Sequence, residues 1–85
     1  MGGKCSPSGG TTSGGGRSSP MSGAPNSRFN LLDALGRLIQ SRWFGPRGEP
    51  LLDRDYRPHH GHPSPHDHHW VDGERQGWVD PVGSC

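Results

Sequence analysis

Apolar residues are sparse along this chain and gather in one place. Within R-F-N-L-L-D-A-L-G-R-L-I-Q-S-R-W-F-G, residues 28–45, Leu31, Leu32, Leu35, Leu38, Ile39 and Trp43 recur at steps that share one helical face. The spacing predicts an amphipathic helix over about 30–44. Asn30 suits the N-cap, with Asp33 near the positive end of the dipole. Phe29 can staple toward Ala34, and Gly45-Pro46 supplies a stop. Gly36 weakens the middle by about 1 kcal/mol relative to alanine. Phe44 beside Trp43 completes an aromatic pair suited to an interface.

The flanking segments lack such a pattern. Residues 1–27 read as a Gly/Ser-rich flexible leader, 46–58 as a Pro-punctuated linker, and 59–85 as an acidic tail rich in His and Trp. Only 26% of the 85 residues are hydrophobic, against 15 glycines and 9 prolines, which leaves little to offset the entropy of ordering the chain. The expected architecture is mostly disordered, with one short amphipathic helix and no autonomous globular core. A helix of this length is marginal alone and needs a surface. The headgroup region of a membrane, a groove on another protein and the chain's own tail all remain open, with Leu31, Leu32, Leu35, Leu38, Ile39, Trp43 and Phe44 as the facing residues.

The opening M-G-G-K-C-S bears on that choice. It fits the pattern for myristoylation of Gly2 after removal of Met1, with Ser6 at the hydroxyl position and Cys5 placed for a second acyl chain. These residues resemble the myristoylated starts of lentiviral Nef proteins and the cysteine-bearing leaders of Src-family kinases. The resemblance implies lipidation at Gly2 and Cys5 and an address on the cytoplasmic face of a membrane. It implies neither a fold nor an activity. One myristoyl chain binds only marginally, and basic charge near it is thin, so Cys5 is the expected second signal. Residues 1–48 carry a net +5 and residues 49–85 a net −4, which would draw the anchored half toward anionic lipid. The two cysteines, Cys5 and Cys85, stand at opposite ends, which suits a reducing, cytoplasmic setting.

All six histidines fall in H-H-G-H-P-S-P-H-D-H-H, residues 59–69. Imidazole ligates Zn, Ni and Cu, so His59, His60, His62, His66, His68 and His69 are candidate metal ligands. Three residues per turn would put His59, His62 and His68 on one face of a polyproline helix and His60, His66 and His69 on another, with Asp67 as a possible oxygen donor. After them, Trp70-Val71-Asp72 is echoed eight residues later by Trp78-Val79-Asp80, each closed by a turn-forming Gly or Pro.

No enzyme motif is apparent: the glycine runs lack a phosphate-loop ending, and the histidines lack a nucleophile on a fixed scaffold. The basic residues are too dilute for a nucleic-acid surface. The function expected is a small lipid-anchored peripheral membrane protein, a viral accessory protein or a host adaptor that engages a protein partner. The alternatives are a soluble His-rich metal-binding peptide and a GC-rich reading frame with no selected function.

Overall fold

The segment Asp33-Ala34-Leu35-Gly36-Arg37 settles how residues 28–44 fold. In the computed structural model, which describes residues 7–57, 61 and 64–83, it is a tight turn between two strands. Gly36 adopts φ +78°, and its N–H donates to the Asp33 carbonyl at 2.9 Å. The Asp33 carboxylate accepts the N–H groups of Leu35 and Arg37, both at 2.9 Å. Aspartate bonding its own backbone, with glycine in the left-handed region, makes a three-residue hairpin loop. The expected helix over 30–44 is therefore replaced by strand β2 (Arg28–Leu32), this turn and strand β3 (Leu38–Phe44). Among the described residues there is no helix.

The next two hairpins also turn on a left-handed glycine. Between β3 and β4 (Pro50–Asp55), Gly48 has φ +78° and its N–H donates to the Gly45 carbonyl. Between β5 (His66–Val71) and β6 (Glu74–Val79), Asp72 and Gly73 have φ values of 51° and 80°, the two left-handed residues of a type I′ turn. With β1 (Thr11–Gly15), these strands form one six-stranded sheet in the order β1-β2-β3-β4-β5-β6. β1 runs parallel to β2, and every other neighbouring pair is antiparallel. The Cα radius of gyration, 12.1 Å, matches the about 12 Å of a folded chain of this length, against about 29 Å unfolded. This corrects the expectation of a mostly disordered chain without a core.

The interior holds few apolar groups. Trp43 and Leu52 are its centre, with Val82 packed on them from beyond β6. Paired charges fill much of the rest. Arg42 lies opposite Asp53 and Arg54 opposite Asp67 in the strand registers, so each guanidinium meets its carboxylate across one ladder rung. Arg42 grips Asp53 with bonds of 2.6 and 2.9 Å, and Arg54 grips Asp67 with 2.8 and 3.0 Å. Asp53 and Asp67 are fully buried. Hydrogen bonding to Asp67 raises the pKa of Arg54 above its ordinary value. Both guanidiniums also lie over tryptophan faces, Arg42 over Trp70 at 4.9 Å and Arg54 over Trp43 at 5.8 Å. A count of hydrophobic residues alone understates such a core.

Candidate metal centre

Strands β4 and β5 build the site. Their register sets Asp55 opposite His66 and Asp53 opposite His68. Side chains two apart on a strand share a face, so His66 and His68 point the same way, toward Asp55. The Asp55 Oδ2 atom is 3.3 Å from His66 Nε2 and 3.6 Å from His68 Nε2. One ligand atom from each of the three residues lies within 4.8 Å of the others. Three atoms bound at 2.0–2.1 Å to a tetrahedral ion stand about 3.3 Å apart. The two carboxylate-to-imidazole spacings are already near that value.

The surroundings orient each ligand. His68 Nδ1 lies 2.8 Å from the Gln76 carbonyl on β6. A carbonyl accepts and cannot donate, so Nδ1 carries a proton and Nε2 is the ring nitrogen left to face Asp55. His68 Nε2 is buried and has no hydrogen-bond partner among the described residues. It faces the Asp55 carboxylate oxygen at 3.6 Å. The His66 and His68 rings meet edge to face at 5.0 Å, and Trp78 covers His66 at 6.5 Å. The Gln40 amide donates to Asp55 Oδ1 at 2.8 Å, and the Ser19 hydroxyl holds Gln40 in turn at 2.6 Å. Arg75 donates to Asp55 Oδ2 at 2.7 Å and approaches Asp53 at 3.4 Å. A carboxylate oxygen has two lone pairs, so Arg75 and an ion can share Oδ2, each at the other's electrostatic expense.

Of the six candidate histidines, the structure brings two together. His69 lies on the opposite face of β5, across from Leu52. His59, His60 and His62 lie outside the described residues, as do Gly2 and Cys5. The polyproline faces expected for the tract give way, over residues 66–71, to the two-residue alternation of a strand. Asp67 is engaged by Arg54, and the carboxylate beside the two histidines is that of Asp55. Asp55 was detectable in principle: in L-L-D-R-D-Y, Asp53 and Asp55 sit two apart, the period at which a strand shares a face. The expected facing residues also divide. Leu31, Trp43 and Phe44 are buried, Leu32 and Ile39 half-buried, and Leu35 and Leu38 exposed, so they form no single stripe.

The arrangement is a two-histidine, one-carboxylate set of candidate ligands. This donor set suits zinc and other divalent first-row metals. No protein-family model, curated protein or solved structure matches the chain.

Proposed function

We propose that this protein is a small metal-binding module that holds one divalent transition-metal ion, with zinc as the reference case, on Asp55, His66 and His68. The supporting observation is His68: the Gln76 carbonyl holds its Nδ1, and its buried Nε2 faces the Asp55 carboxylate at 3.6 Å with no hydrogen bond among the described residues. The ligands are preplaced by β4 and β5, so the ion does not have to organise a flexible tract. The test is calorimetric titration with Zn²⁺, alongside the visible spectrum of the Co²⁺ form. One equivalent is expected, with affinity falling at least about tenfold in Asp55→Asn and His68→Ala. Binding that survives both substitutions but disappears when His59, His60 and His62 are replaced would refute the site.

The opening M-G-G-K-C-S supports a second reading, a membrane address through acylation of Gly2 and Cys5. It is compatible with the first. Alkyne-myristate labelling in eukaryotic cells, with a Gly2→Ala control, tests it; an unlabelled Gly2 would remove it.

A further inference from the structure

Beside the proposed metal site lies a pocket of about 220 Å³, lined by Arg17, Arg57 and Arg75 with Leu31, Ile39 and Asp55. The volume is roughly that of seven liquid waters. Three arginines and one aspartate line it, of which Arg75 bonds Asp55, and the aliphatic side chains give the pocket an apolar part. Arg57 is already bonded to Asp33 at 3.1 Å, and Arg17 has no ion-pair partner among the described residues. The pocket shares two groups with the metal site. Asp55 lines both, and Arg75 bonds the same Asp55 oxygen that faces the two histidines.

We propose that this pocket binds a small organic carboxylate with a short aliphatic body, and that metal binding at Asp55, His66 and His68 strengthens it. The inference rests on the metal reading for its coupling and on the pocket for its ligand chemistry. Without metal, Arg75 spends its charge on Asp53 and Asp55. An ion on Asp55 Oδ2 repels the Arg75 guanidinium and weakens its hold. Arg75 has a third of its side chain exposed and turns into the pocket beside Arg17 and Arg57. A carboxylate then neutralises the released Arg75 together with Arg17, through charge-assisted bonds. Its short chain rests against Leu31 and Ile39, which inorganic phosphate would leave wet. By linkage, the carboxylate strengthens metal binding by the same factor.

The test uses the full chain in three titrations: Zn²⁺ alone, butyrate without metal, and butyrate at saturating Zn²⁺. Acetate and inorganic phosphate are run as comparison anions. The expected result is an increase in butyrate affinity of about five- to a hundredfold with metal. Butyrate should also exceed acetate and phosphate, because its extra methylenes find apolar contact. In Arg75→Gln the metal-linked increase should disappear, with circular dichroism confirming the fold. Equal butyrate affinity with and without bound metal overturns the proposal while leaving the metal site standing. Phosphate binding as tightly as butyrate overturns the ligand class. Failure of the first titration removes the metal reading and the coupling together, and is recognised at that step.

Discussion

Replacing Asp53 by alanine probes the charged interior most directly. The change deletes two bonds to Arg42, of 2.6 and 2.9 Å, and strands a guanidinium whose side chain is 6% exposed. Removing one partner of a buried pair costs about 3–5 kcal/mol. Arg42 keeps the carbonyls of Ser19 and Pro20, at 3.1 and 2.9 Å, and its place over Trp70, which favours the lower end, about 3 kcal/mol. A folded chain of 85 residues has roughly 4–13 kcal/mol in all, so the single change removes a large share. Urea unfolding followed by tryptophan fluorescence and far-ultraviolet circular dichroism should show a cooperative transition. Its midpoint should fall by about 1–3 M in Asp53→Ala, for a slope of about 1–3 kcal/mol per molar. The double change Arg42→Met with Asp53→Leu should recover most of that loss, since no charge is left stranded. An unmoved midpoint in Asp53→Ala would refute burial of the pair. A double variant no better than the single one would refute stranded charge as the cause.

Two further outcomes follow from the turns. Gly36 and Gly48 share φ +78°, but a Cβ at Gly36 meets open space, whereas one at Gly48 would lie 2.4 Å from the Gly23 carbonyl oxygen. Gly36→Ala should cost about 1–2 kcal/mol from the left-handed conformation alone, and Gly48→Ala clearly more, as read by the same urea curves; equal costs would contradict the close approach. Asp33 is held down from 3.8 to about 2, first by the Arg37 backbone N–H and then by the Arg37 side chain and the Leu35 N–H. Its folded pKa lies below the unfolded one, so its contribution is complete above about pH 4 and is lost as pH falls toward 2. Carboxyl-carbon NMR should place the Asp33 midpoint near 2, and Asp33→Asn should remove that acid sensitivity from the first hairpin; a midpoint near 3.8 would refute the turn geometry.

Much of the fold was legible through its turns and hidden by its apolar spacing. Gly36, Gly48, Gly61 and Gly73 stand twelve, thirteen and twelve residues apart, and all have φ near +80°. Regular turn signals at such intervals indicate successive short strands. The leucines of residues 31–39 misled because two strands and their turn together mimic a helical step: Leu35, on the turn, is 76% exposed, while Leu31 is 3% exposed. At the site, the histidine tract flagged metal ligation, and a period of two would have paired His66 with His68. Long-range register then decided the rest. Nothing local links Asp55 to His66 or Gln76 to His68, since those contacts exist once β4, β5 and β6 lie side by side.

The order of the strands carries a consequence for how the molecule is made. Each strand pairs with its neighbour in sequence, so most of the sheet can grow by adding one hairpin to the last. Hairpins close in about 1–10 μs, far faster than the 5–20 residues per second at which a ribosome delivers them. The sheet is then finished from one end as the chain emerges. Asp55 waits on β4 until β5 brings the histidines, and His68 acquires its Gln76 partner when β6, the final strand, arrives. The candidate cluster is thus assembled late in the growth of the sheet, and a chain cut short before β6 would leave His68 without the Gln76 carbonyl that holds its Nδ1 proton.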